Sequence, residues 1–220
     1  MNQVYPTPKS LTAREISISR NGRPIFAKLS MVIFPGQSLR LIGPNGCGKS
    51  TILRVLAGLL SPSKGHVYWE DTPINKDLSS HGSRIAYLGH KNAIKLSLTA
   101  RENAKNLLTA SGRYSKASLD RAFKMLELEH LASLPAGLLS AGQRRRVSIA
   151  RVIASCCPLW LLDEPTVGLD YSATKTLENA ISLHLASGGM VIFATHININ
   201  LGRDDKTLDP RDFACSIKLG

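Results

Sequence analysis

Eighteen consecutive apolar residues occur nowhere in this 220-residue chain, so no helix able to cross a membrane is expected. The opening "MNQVYPTPKSLTAREISISR" has no apolar h-region, so a secretory signal is not expected there. No low-complexity tract and no internal repeat appear, which argues against disorder. Aromatic residues make up only 5% of the chain, leaving few rings to stack on bases. Cysteine is scarce as well. The four stand at 47, 156, 157 and 215, with no CxxC and no paired spacing. That usage suits a reducing cytosol better than a disulfide framework or a zinc site.

What is present is an ordinary apolar fraction, 43%, enough for one large domain or a domain with an insertion. Net charge is +12. Nucleic acid or an anionic membrane surface would use such charge. The basic residues are spread along the chain, however, and only Arg144, Arg145 and Arg146 cluster. A basic soluble surface is therefore favoured over nucleic-acid binding, and the membrane surface stays open.

The first fifty residues read as β-structure. "REISISR" alternates, a turn falls at Asn21-Gly22, and "SLRLIG" runs straight into a glycine turn. A helix follows in "KSTILRVLAGLL", stopped by "SPSKG". "HVYWED" and "RIAYLGH" are short strands. From about Asn92 to Leu138 the pattern turns helical, with amphipathic "LTARENAKNLL" and "KASLDRAFKMLELEHL". Another helix, in "LLSAGQRRRVSIAR", ends at Cys157-Pro158. "LWLLDE" and "MVIFATH" are continuous apolar runs, which suit central strands of a parallel sheet covered on both faces. The sum is an α/β core, about 1–91 and 158–220, interrupted by a helical insertion, about 92–157.

Gly43, Pro44, Asn45, Gly46, Cys47, Gly48, Lys49, Ser50 and Thr51 carry G-x-x-x-x-G-K-[ST] between a strand and a helix. Glycines let backbone N–H groups curl around phosphate oxygens, and the helix N-terminus adds its positive end. Lys49 is expected to reach the β- and γ-phosphates and Ser50 to offer a hydroxyl to Mg²⁺. Cys47 is either a small filler or a reactive thiol in surroundings that favour negative charge. Asp163 and Glu164 end one apolar run and His196 ends the next. Two carboxylates at a strand end are by themselves common and solvated, and a lone histidine is more often a surface or capping residue. Parallel strands deliver their ends to one ligand-binding edge, which sharpens the expectation. Asp163 would hold Mg²⁺, Glu164 would serve as general base, and His196 would contact the γ-phosphate.

Ser140, Ala141, Gly142 and Gln143 pose a different question. Ser140-x-x-Gln143 is a capping box that can begin any helix. The order of motifs changes its meaning: phosphate loop, helical insertion, "LSAGQ", "LLDEP", "GLD" and a strand ending in histidine. Over nearly the whole chain this order resembles the nucleotide-binding subunit of ABC transporters, with Ala141 where that family has the first glycine of LSGGQ. The resemblance implies a RecA-like P-loop NTPase core with an antiparallel β subdomain and a helical subdomain. It implies ATP and Mg²⁺ as ligands, and two copies facing head to tail so that one copy's signature turn completes its partner's ATP site. It also implies integral membrane permease partners, a peripheral position on the cytoplasmic face of the inner membrane, and a D-loop at Asp170. No nucleic-acid partner is expected.

His90 stands at the position of the family's coupling-loop glutamine, followed by Lys91. The family's adenine-stacking aromatic is missing. Arg20 sits in its place, with Phe26 or Tyr5 as alternatives. Together "YLGH…IK..LTA.EN", "LSAGQ.RRV..AR" and "LW.LDEP...LD" look like the haem-exporter ATPases of the cytochrome c maturation system. An ATPase for another cargo, or a soluble ABC protein acting on ribosomes or DNA, is the alternative.

Overall fold

The computed structural model describes residues 10–20, 23–196, 199, 201 and 206–214. The predicted Asn21-Gly22 turn, Tyr5 and Cys215 lie outside them. An antiparallel sheet contains β1 (Leu11–Arg20), β2 (Arg23–Ile33), β4 (Lys64–Trp69) and β5 (Thr72–Pro73), in the order β2-β1-β4-β5. A parallel sheet contains β3 (Ser38–Leu41), β6 (Ile85–Leu88), β7 (Leu159–Asp163), β8 (Met190–Ala194) and β9 (Lys206–Leu208), in the order β6-β7-β8-β3-β9. The helices are α1 (Lys49–Leu56), α2 (Leu78–Gly82), α3 (Ala100–Ala110), α4 (Lys116–Met125), α5 (Ala141–Ala154) and α6 (Tyr171–Ala186).

Every residue of β7 and β8 is buried. Their alternation divides the apolar interior into two layers. Trp160, Leu162, Val191 and Phe193 pack with apolar residues of α3 to α6. Leu159, Leu161, Met190, Ile192 and Ala194 pack with α1 and the antiparallel sheet, whose Leu11, Ile16 and Phe26 are fully buried. The fold is thus an α/β core with an antiparallel β subdomain and helices inserted between β6 and β7.

Several elements are shorter than the hydrophobic pattern suggests. The first helix stops at Leu56 rather than Leu60. Leu59 N–H bonds to the Arg54 carbonyl and Gly58 N–H to that of Val55, with Gly58 at φ 71°. This Schellman closure ends a helix regardless of the apolar residues beyond it. The fourth closes in the same way at Glu127, φ 55°, through Leu128 N–H to Phe123 and Glu127 N–H to Lys124. The apolar stretch continuing to Leu131 is a turn and a short 3₁₀ segment. Residues 92–99 are not helical, and α5 ends three residues before Cys157. The sequence reading assigned no element to 165–189, where α6 makes the crossover that parallel β7 and β8 require.

Where α6 returns to β8, the His184 imidazole stacks on Trp160 with ring centroids 4.0 Å apart. Its Nε2 lies 3.2 Å from the Met190 carbonyl. Burial pushes this imidazole down to about 4. A folded-state value below the ordinary ~6.5 means that the unfolded chain takes up the proton first as pH falls. Stability present above pH 6.5 should therefore be lost progressively towards pH 4, by about 2 kcal/mol at pH 4.5. Denaturant midpoints at pH 7 and 4.5 test this. His184→Phe keeps a ring on Trp160 and should remove that part of the slope; an unchanged slope would assign it to other groups.

Candidate functional site

The parallel register brings three strand ends together. Leu41 and Asp163 both pair with Ala194. The loop after β3, the Asp163-Glu164 pair after β7 and Thr195-His196 after β8 therefore share one edge. At the end of the loop Gly48 has φ 107° and caps α1. A Cβ there would come within 2.9 Å of Ile25 Cγ2, in a backbone conformation that L side chains rarely adopt. Lys49 is buried, and its Nζ donates to the carbonyls of Gly43, 2.6 Å, and Pro44, 3.0 Å. The ammonium thus lies along the loop's own backbone.

Ser50 Oγ donates to Asp163 Oδ1 at 2.9 Å. Asp163 is 2% exposed, and its Oδ2 is a buried acceptor without a hydrogen-bond partner among the described residues. A hydroxyl and a carboxylate with one unspent oxygen suit a hard cation that takes oxygen ligands, such as Mg²⁺. Glu164 has φ 48°, uncommon for a residue with a side chain. Its Oε1 lies 3.2 Å from His196 Nε2, which also lies 2.7 Å from Asn45 Oδ1. Both partners are oxygen acceptors, which puts the imidazole proton on Nε2.

These residues enclose an open cleft of about 490 Å³. Asn45, Gly46, Gly48, Lys49, Ser50 and Thr51 form one wall, and Asp163, Glu164 and His196 another; Arg20, Ile25, His90 and Val167 complete it. Arg20 and His90 are exposed at its rim. Cys47 is half-buried in the loop and Pro44 offers its carbonyl inward. Phe26 does not reach the cleft. It is fully buried beneath the loop, its Cδ1 3.4 Å from where a Cβ on Gly48 would stand, and has no face free for a base. This removes it as an alternative to Arg20.

None of residues 140–143 lines this cleft. They begin α5, where the capping box forms in full: Gln143 N–H bonds to Ser140 Oγ at 3.1 Å, and Ser140 N–H to Gln143 Oε1 at 2.8 Å. Ala141 is exposed, so a methyl group at this position meets no obstruction. Gly142 is different. A Cβ there would lie 2.4 Å from the Gly168 carbonyl oxygen, so only glycine permits this approach of α5 to the 165–170 turn. Asp170 caps α6 by accepting from Ala173 N–H at 2.7 Å and lies 3.4 Å from Arg146.

The sequence reading missed Arg145. It treated the three arginines as one basic cluster, yet Arg145 is 3% exposed and makes hydrogen bonds to both segments flanking the cleft. Helical spacing contains the signal, because Arg145 lies on the face of buried Ser148, Ile149 and Val152. Asp209 was also missed. Its Oδ1 stands 3.0 Å from the position a Cβ on Gly43 would occupy, and its carboxylate is paired with Arg211.

Residues 26–167 match the ABC transporter family. The chain is 41% identical to the cytochrome c biogenesis ATP-binding export protein CcmA of Paramagnetospirillum magneticum, covering 91% of this chain and 94% of that protein. It is 44% identical to the protein of the same description from Rhodospirillum rubrum, covering 88% and 83%. Among solved structures, it resembles a dimeric bacterial ABC transporter cassette, with TM-score 0.80 and 26% identity over 91% of this chain and 94% of that one. A dimeric cassette in a post-hydrolysis state bound to ADP and Pi gives TM-score 0.78 and 26% identity over 90% and 93%. With its motifs gathered at one sheet edge, the chain belongs to the ABC transporter family, among the ATP-binding export proteins of cytochrome c biogenesis.

Proposed function

We propose that this chain is the ATP-hydrolysing subunit of a membrane complex that exports haem or releases a haem-loaded chaperone in c-type cytochrome assembly. The observation that carries the ATPase reading is the edge where Ser50, Asp163, Glu164 and His196 meet the phosphate loop. Lys49 would leave the loop carbonyls for the β- and γ-phosphates, while the loop's N–H groups and the start of α1 favour phosphate charge. Ser50 and Asp163 would hold Mg²⁺, which when bound offsets charge on the β- and γ-oxygens. Glu164 would take the proton of the attacking water, and His196, held by Asn45 and Glu164, would orient the γ-phosphate. Arg20 at the rim would stack on the base.

A cleft without residues 140–143 supports a head-to-tail pair, in which Ser140, Ala141, Gly142 and Gln143 face the nucleotide of a second copy and Asp170 lies at the junction. The relatives described as export proteins support integral permease partners, with this chain peripheral on the cytoplasmic face of the inner membrane. His90, followed by Lys91, would carry nucleotide state to those partners. The helical subdomain is taken as about 92–157.

Glu164→Gln should retain ATP binding and lose turnover by roughly 10²–10⁴-fold, because an amide cannot accept the proton. Steady-state hydrolysis by the membrane complex measures this; a near wild-type rate would remove Glu164 as the base.

Cysteine labelling tests where the nucleotide lies. A maleimide should modify Cys47 in the nucleotide-free protein, ATP should protect it, and the adduct should block ATP binding. Cys156 is half-buried and outside the cleft, so its labelling should be the same with or without ATP, while buried Cys157 stays unmodified. Peptide mapping reads all three, and equal Cys47 labelling with and without ATP would show that the nucleotide lies elsewhere.

A further inference from the structure

Arg145 is a buried cation whose hydrogen-bond acceptors among the described residues are all uncharged. Its Nη2 donates to the Asp163 and Glu164 carbonyls, both 2.7 Å, and its Nε to the Pro165 carbonyl at 3.4 Å. Its Nη1 donates to the Gly89 carbonyl at 2.9 Å and to Asn92 Oδ1 at 3.0 Å. All of these acceptors are uncharged, and the nearby Asp163 and Glu164 carboxylates offset the desolvation of the charge only in part. Burial holds the guanidinium down at about 10, yet still protonated at neutral pH. A site that needed only packing between α5 and the sheet would be filled more cheaply by leucine or methionine. The guanidinium does something an apolar residue cannot: its planar fork holds two segments at once.

One segment is the Asp163–Pro165 turn, including Glu164 at φ 48°. Backbone in such a region persists only where its surroundings over-determine it, and here three consecutive carbonyls are fastened to one side chain. The other segment is Gly89–Asn92, which contains His90. Both are tied to a helix whose first turn starts at Ser140. Arg145 lies about 7.5 Å along the helix axis from Ser140, and Gly142 seats that first turn on the Gly168 carbonyl.

We infer that Arg145 is a positioning residue for hydrolysis: it sets the Glu164 carboxylate and the His90 loop according to where the start of α5 sits. The inference rests on the reading of Glu164 as base. A displacement of the signature turn would move the five acceptors through a rigid helix and one planar group, with no movement of the phosphate loop.

The test uses the full chain in its membrane complex. Arg145→Lys keeps the charge, but its single ammonium cannot span both arms. Misplacement of a reacting group by about 1 Å is worth on the order of 10²-fold in rate, so kcat should fall 10- to 100-fold. KM for ATP should stay within threefold, because the phosphate loop is untouched, while the melting temperature falls as buried carbonyls lose their donor. A wild-type kcat overturns the inference. So does a fall in kcat accompanied by a KM for ATP raised in proportion, which marks general damage to the fold rather than misplacement of the base. If Arg145→Lys is not recovered folded, Asn92→Ala decides by the same criteria: it removes one of the five acceptors, and kcat should fall at least threefold. Gly142→Ala displaces the start of α5, and combined with Arg145→Lys it should be no slower than the slower single variant; losses that multiply overturn the link to α5. Failure of the base assignment is separately visible, because Glu164→Gln would then turn over ATP whatever Arg145 does.

Discussion

Burial of both faces of β7 and β8 is the constraint on which the rest of this structure depends. A strand covered on both sides must be apolar along its length up to its end, and its backbone must be fully paired with parallel neighbours. Side chains that need water or charge can then appear only where the strand ends. In β7 that place is Asp163-Glu164, and after β8 it is Thr195-His196. Parallel pairing puts both ends on the same edge as the loop after β3. The polar site follows from the apolar strands, because carboxylates and an imidazole have nowhere else along these segments to be.

The edge is held by features that break ordinary preferences. Glu164 occupies a left-handed backbone conformation, Asp163 keeps a buried oxygen without a hydrogen-bond partner among the described residues, and Arg145 is buried against uncharged acceptors. Each is unfavourable alone. Together they are compatible, because Arg145 fills the carbonyls of the strained turn and Ser50 engages the other Asp163 oxygen. Gly142 belongs to the same set. Its missing side chain lets the first turn of α5 rest on Gly168, so the helix that bears Arg145 also abuts the loop leading to Asp170.

The phosphate loop and the two carboxylates were legible because they are local. Gly43 to Thr51 are one contiguous glycine turn between a strand and a helix, and the position of Asp163 and Glu164 at the end of "LWLLDE" needs only the rule that polar residues mark the ends of buried strands. Element ends were less legible. Helices α1 and α4 stop at Schellman closures, one at Gly58 and one at Glu127, and a glutamate in a left-handed position leaves no compositional mark. The segment 165–189 was passed over because α6 has a weak apolar stripe between two strongly apolar strands.

The sequence by itself determined the nucleotide chemistry, the α/β class and the order of segments, since these reside in short contiguous runs whose periodicity and residue types act over a few ångströms. Only the tertiary structure decided which residues meet. It put Phe26 beneath the loop and out of reach of a base, left residues 140–143 outside the lining of their own chain's cleft, and separated Arg145 from its two neighbours by burying it among carbonyls from distant segments. The physical reason is one of range. A hydrogen bond from Arg145 to Gly89 joins residues 56 positions apart, and no local pattern encodes a contact that exists only after the helices have packed on the sheet.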